Sequence, residues 1–155
     1  MQVVLSRVKT QLLTDVSLNY IKRIEYVSPR LLPEIPLTMV PYIGIAPMTT
    51  SESWVAQRKQ QIHTFELYCV EYIRISEDAI FGSSASGKKG ILEIVEDVST
   101  SIRAKFLTDS GVHYLSKPTG ITNIDYVVAG YGDNVYLIVA TIVIQCAELL
   151  NVTAS

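Results

Sequence analysis

The stretch VYLIVATIVIQCA, Val135 to Ala147, decides the fold class. From Tyr136 to Ile144 only Thr141 interrupts its apolar residues, most of them β-branched. A strand with one wet face alternates apolar and polar side chains, so a strand without alternation has both faces covered. The run is far shorter than the ~20 residues a membrane-spanning helix requires. It therefore reads as an interior strand of a sheet, and what covers its two faces becomes the question. Just upstream, Ile121–Ala129 reads as its hairpin partner, with Gly130-Tyr131-Gly132-Asp133-Asn134 as a glycine-rich closing loop.

Three more segments read as strands. Tyr20–Val27 (YIKRIEYV) and Thr38–Ile45 (TMVPYIGI) are β-branched and aromatic, punctuated by Pro33, Pro36, Pro41 and Pro47. Pro41 has no N–H for a ladder, so the second is expected to be an edge strand or bulged there. Gln60–Ile75 (QQIHTFELYCVEYIRI) is long enough to show its faces. His63, Phe65, Leu67 and Cys69 share one, and Ile62, Thr64, Glu66, Tyr68, Val70 and Tyr72 the other.

Two helices cover one face of this sheet. Val4, Leu5, Val8, Leu12 and Val16 draw one stripe near the N-terminus. Ile91, Ile94, Val95, Val98, Ile102 and Phe106 draw a clearer one over about Lys89–Leu107. Glu93, Glu96 and Asp97 lie in its first half and Arg103 and Lys105 in its last turns, the order a helix dipole favours, with Gly111 as a stop. The expectation is an α+β fold, order α-β-β-β-α-β-β. It comprises a mixed, mostly antiparallel sheet of about five strands with two helices on one face, as a single domain over residues 1–155. Ala46–Lys59, Ser76–Ser86 and Thr108–Gly120 are expected to be long polar loops, the kind that carry function or order on a partner.

Composition narrows the class. The chain has 155 residues, 13 Lys plus Arg and 15 Asp plus Glu, for a net charge of −2. That balance argues against general nucleic-acid binding, which needs a basic field. Charged residues are only 18% and hydrophobic ones 48%, with mean hydropathy +0.28, so the chain is not disordered. Such a chain buries an unusually full core or covers apolar surface against other subunits, and the second reading is favoured. The N-terminal MQVVLSRVKTQLL is too interrupted for a signal peptide. Cys69 and Cys146, far apart in apolar segments, read as buried residues of a reduced intracellular protein.

The sharpest catalytic motif is Gly82-Ser83-Ser84-Ala85-Ser86-Gly87-Lys88-Lys89, which matches a GxxxxGK phosphate loop at both glycines and Lys88. Lys89 replaces the hydroxyl that would hold magnesium, and no buried strand feeds the loop directly. A helix-capping turn explains the same letters better. His63 and His113 lack metal-ligand spacing, and Glu93 and Asp97 read as a solvated helix face. No nucleophile elbow is present. Neither catalytic residues nor a cofactor or metal site are expected. More suggestive is Trp54, with Arg58 close by in a polar connection, because Trp and Arg dominate interface hot spots. Tyr114 and Tyr131 join them as candidate contacts, among nine tyrosines against three phenylalanines.

Taken in order, the N-terminal helix, the isoleucine-rich strand, the PYIGIAP strand, QQIHTFELYCVEYI, the helix GILEIVEDVSTSIRAKFL and the final hairpin resemble a known family. It is the tail terminator (tail completion) proteins of long-tailed bacteriophages, typified by the lambda U protein. The resemblance implies a non-enzymatic virion structural protein, made in the host cytoplasm. Its ring, usually six-fold, ends growth of the tail tube and presents a surface for joining the head. The partners implied are further copies of the chain, the tail tube protein and a head–tail connector or neck protein. No membrane and no sequence-specific nucleic acid are implied, the ring lumen offering DNA a passage. The competing readings are another neck component, such as a head-completion adaptor or tail-tube protein, and a small-ligand-binding α+β regulatory domain.

Overall fold

The computed structural model describes residues 1–73, 76–108, 114–132 and 135–153. One five-stranded sheet runs through it, in the order β1-β2-β3-β5-β4. Its strands are β1 (Arg23–Tyr26), β2 (Tyr42–Val55), β3 (Arg58–Ile73), β4 (Lys117–Gly132) and β5 (Val135–Thr153). β1 pairs with β2 in parallel and all other pairs are antiparallel, so the sheet is mixed. Helices α1 (Gln2–Thr14), α2 (Ser76–Phe81) and α3 (Ile91–Ile102) complete an α+β architecture.

β5 is the interior strand its composition demands. Ile138, Ala140, Ile142 and Ile144 face the helices and meet Ile43 and Ile45 of β2, Phe65, Leu67 and Cys69 of β3, and Val4, Val8, Leu12, Ile94 and Val98 from α1 and α3. Each such fully buried aliphatic side chain contributes about 1.5–3 kcal/mol through removal from water. Period two on β3 puts His63, Phe65, Leu67 and Cys69 on this face, as its alternation requires. Both cysteines are buried and free, and burial pushes each thiol up to about 12.

The opposite face is covered from within the chain, where sequence pointed to a partner subunit. The proline-rich segment between β1 and β2 folds across it. Ile35 and Val40 pack there on Tyr42, Tyr68, Val70, Leu137 and Val139. The Tyr68 hydroxyl accepts from the Arg30 N–H at 2.9 Å and donates to Glu66, tying this flap to β3. The flap covers only one end of β5. Farther along the same face Thr141 and Val143 are half-buried and Gln145 is exposed.

Several expected boundaries move. β1 starts at Arg23 rather than Tyr20, and Pro41 precedes β2, which is an inner strand rather than an edge. The expected Ala46–Lys59 loop is strand. β2 and β3 stay paired out to Val55 and Arg58, around a turn at Ala56 and Gln57. Ser76–Ser86 contains α2, a third helix. Val16 lies past α1, 84% exposed, not in its buried stripe. α3 ends at Ile102, so Arg103 and Lys105 lie beyond its last turn and Phe106 is half-buried in the following chain. Gly130 and Gly132 pair with β5, which shortens the closing loop to Asp133 and Asn134. Those two lie outside the described residues, as do Gly111 and His113.

Candidate assembly interface

The outer ends of β2 and β3 form an exposed arm, with the end of β5 alongside β3. Beta-strand pairing sets which way its side chains point. A bulge at Met48, between Pro47 and Thr49, adds one residue and flips the parity of β2. Beyond it Thr50, Glu52 and Trp54 stand on the helix side, opposite His63, Gln61 and Lys59.

These six side chains make a graded row. At its root His63 is fully buried, with Nδ1 at 2.9 Å from the Thr50 hydroxyl and Nε2 at 3.3 Å from the Glu148 carboxylate. Next, Glu52 accepts from the Gln61 amide at 2.9 Å and pairs with Lys59. Lys59 and then Gln61 hold the Glu52 carboxyl below its usual range. At the tip Trp54 is 53% exposed, with Val55 beside it also exposed. Arg58 faces Val55 across the strand pair, so the structure brings Trp54 and Arg58 to one tip.

Tyr114 is elsewhere and already engaged. Its ring lies under the Arg7 guanidinium at 4.5 Å, and burial together with Glu148 pushes its phenol up to about 12. It packs against the main core as a half-buried anchor for the chain entering β4. The side chain of Tyr131 lies outside the described residues.

The GxxxxGK motif folds as a turn closed on itself. Ser83 N–H donates to the Lys88 carbonyl at 2.7 Å and Lys88 N–H to the Ser83 carbonyl at 3.1 Å, which spends both donors. Lys88 Nζ sits 3.3 Å from the buried Glu71 carboxylate and 3.9 Å from the centroid of the Tyr72 ring. Glycine is required at both ends of this turn. Gly82 has φ +84, and a Cβ there would lie 2.8 Å from the Lys88 carbonyl oxygen. A Cβ on Gly90 would lie 2.5 Å from the Ile80 carbonyl carbon, which binds the α2–α3 corner tightly.

Glu93 is exposed and Asp97 half-buried on α3, and both carboxylates have partners within the chain. Glu93 accepts from the Gly90 N–H at 3.5 Å, half of a capping box that glycine, without a side chain, cannot complete. Asp97 is held by Lys89 and by the Tyr20 hydroxyl at 2.9 Å.

The sheet ends in two unlike flanks. On the β1 side, a cleft of about 330 Å³ between α1 and β1 is lined by Leu13, Val16, Ile21, Lys22, Arg23 and Ile24 among others. Lys9 stacks over the exposed Tyr26 ring nearby, at 4.7 Å. On the β4 side, Tyr126, Val127 and Val128 are exposed in succession on an edge strand. Burial, then Cys69 and Glu96, raise the Tyr126 phenol above its ordinary value. A groove of about 950 Å³ also runs between α1 and residues 104–108, with Arg7, Gln11 and Lys105 in its wall. Among the described residues no group of three or more His, Cys, Asp or Glu is placed to hold a metal ion. No helix is long and apolar enough to cross a membrane.

The described residues thus define an α+β sheet protein with exposed apolar side chains at the arm tip, on the β1 flank and on the β4 edge. No protein-family model matches the chain, and no curated protein matches it in sequence. Among solved structures it is similar to a chain of the virion of the native gene transfer agent (GTA) particle. Sequence identity is 14%, the TM-score is 0.63, and the match covers 95% of both chains. The likeness is one of fold, and it extends over nearly the full length of both chains.

Proposed function

We propose that this chain is a non-enzymatic virion structural protein of a phage-like particle. In this reading it forms a ring, six-fold by family resemblance, at the head-proximal end of the tail tube. There it ends tube growth and presents a surface for the head connector. The observation that carries the reading is the fold shared with a GTA virion chain across 95% of both chains.

The distribution of exposed side chains supports it. Among the described residues, exposed large apolar side chains gather at the arm tip, on the β1 flank and on the β4 edge, and contiguous exposed apolar surface marks sites of interaction. A ring needs two of them for neighbouring copies, and a third is left for the tube or connector. Trp54 and Arg58 at the arm tip are the residues assigned to that third contact. The test adds purified protein to polymerising tail-tube subunits and measures tube length by electron microscopy. Short tubes capped at one end are expected. Tubes of unchanged length without caps, with the protein bound to isolated head connectors instead, would assign it to a different neck position. Binding to neither would refute a virion role.

A further inference from the structure

We propose that the outer half of β2 is a strand-addition site, taking an uncharged, extended segment of a partner protein as a further strand of the sheet. The assignment deepens the arm-tip contact above and rests on it. β1 pairs with β2 only from Tyr42 to Ile45, so beyond Ile45 the strand has a neighbour on its β3 side alone. The direction of its backbone groups follows from the ladder. The Ile45 carbonyl accepts from the Val27 N–H at 2.9 Å, so Ile45 turns its N–H and C=O toward β1, and alternation turns Pro47 the same way. Proline has no N–H to offer there. The bulge at Met48 then shifts the parity by one. Past it, Thr49, Ser51 and Ser53 turn their backbone groups toward Thr64, Ile62 and Gln60 of β3, while Thr50, Glu52 and Trp54 direct theirs away from the sheet.

Three N–H and three C=O groups therefore stand along an edge with no backbone partner among the described residues. Residues 49–58 are all exposed. Natural proteins blunt such an edge with lysine, proline, a bulge or a covering segment. Here the proline and the bulge lie at its root and leave Thr49 to Val55 uninterrupted. The side chains along the edge set what fits. Glu52 pairs with Lys59 and accepts from Gln61, so the incoming strand needs no charge at the middle position. Trp54 is 53% exposed and favours a β-branched or aromatic residue opposite. A second copy of this edge fits poorly. The antiparallel register that uses all three positions sets Glu52 against Glu52, and like charges directly opposite are unfavourable. Main-chain hydrogen bonds then give affinity, and the Trp54 contact gives selectivity.

The experiment separates backbone from side chain in the full-length protein. Amide hydrogen exchange, resolved by residue with NMR, is followed with and without a blocked peptide of alternating threonine and valine, flanked by lysines for solubility. The peptide should slow exchange at Thr50, Glu52 and Trp54 at least tenfold, while Thr49, Ser51 and Ser53, bonded to β3, keep their rates. In tail-tube and head-connector binding, Glu52→Pro removes one outward N–H and should weaken the contact at least tenfold. Glu52→Ala keeps that N–H and should stay within about twofold. Slow exchange retained at Ser51 and Ser53 verifies that the arm of the proline variant is still paired, and the peptide measurement on the parent stands whether or not that variant folds. A peptide that protects none of the outward amides, or binding that responds alike to both substitutions, would overturn strand addition and leave a contact through side chains. Protection of the same three amides by raised protein concentration alone would give the edge to a second copy and overturn the partner. A protein that binds neither tubes nor connectors would remove the tail reading instead, a failure the peptide measurement keeps separate.

Discussion

Lys88 and Glu71 offer a quantitative test of how the α2–α3 corner is held. Glu71 is fully buried on β3. One carboxylate oxygen accepts from the Tyr72 N–H at 2.9 Å and lies 3.3 Å from Lys88 Nζ, while the other finds no partner among the described residues. Burial raises this carboxyl above its ordinary value, against the opposing pull of the Tyr72 N–H and Lys88. Removing one member of a buried ion pair typically costs about 3–5 kcal/mol. Lys88 keeps 29% of its side chain exposed, and Glu71 can escape by taking up a proton, so the loss is smaller. About 2 kcal/mol is expected for Lys88→Met above neutral pH, a fall in melting temperature of about 4–8 °C.

The pH dependence has a definite sign. A carboxyl whose folded pKa is raised favours the fold when protonated. Its contribution is complete below the ordinary carboxyl range and is lost as pH rises through the raised value. Lys88→Met raises that value further, so the deficit against the parent should shrink as the pH is lowered toward 5. Glu71→Gln removes the charge altogether and should be as stable as the parent, or more so, at neutral pH. Thermal unfolding of the three proteins from pH 5 to 8 decides the matter. A Lys88→Met deficit independent of pH, or a Glu71→Gln variant less stable than Lys88→Met at pH 8, would refute the reasoning.

Two other expectations concern the arm and the corner. Trp54→Ala should leave the melting temperature within about 2 °C of the parent, because half of the ring is already in water, yet weaken binding to tail tubes at least tenfold. A large stability loss in calorimetry would make Trp54 part of the fold rather than of a contact. Gly90→Ala should destabilise by more than about 2 kcal/mol, since its Cβ has no room beside the Ile80 carbonyl, and chemical denaturation measures this directly. A neutral result would mean that the corner is looser than its geometry.

The central layer of the molecule was legible because burial is periodic there. β5 has no alternation since both faces are covered for much of its length, and β3 shows its two faces from His63 to Tyr72. The arm was not legible for the complementary reason. From Thr49 to Val55 both faces meet water, so no apolar period marks Thr-Thr-Ser-Glu-Ser as strand, and only pairing with β3 makes it one. α2 is a single short segment, too brief for a helical stripe to register. The flap over the second sheet face depends on Ile35 and Val40, isolated among prolines, whose burial is decided entirely by tertiary contacts.

Of the candidate contacts, Trp54 and Arg58 could be paired from proximity in sequence, whereas the commitment of Tyr114 to Arg7 is a long-range event that no local pattern encodes. The two flanks were equally hidden. Val16 read as a continuation of the α1 stripe, and only the end of the helix at Thr14 turns it outward. A signal existed on β4, where Tyr-Val-Val breaks alternation as it does on β5. On an interior strand that pattern means two covered faces, and on this edge strand it leaves Tyr126, Val127 and Val128 exposed.

The measurement that reaches the central claim most directly is negative-stain imaging of the purified chain at high concentration. Closed rings of uniform subunit number with an open centre are the expected result. A field of isolated small particles, or open filaments that never close, would contradict it.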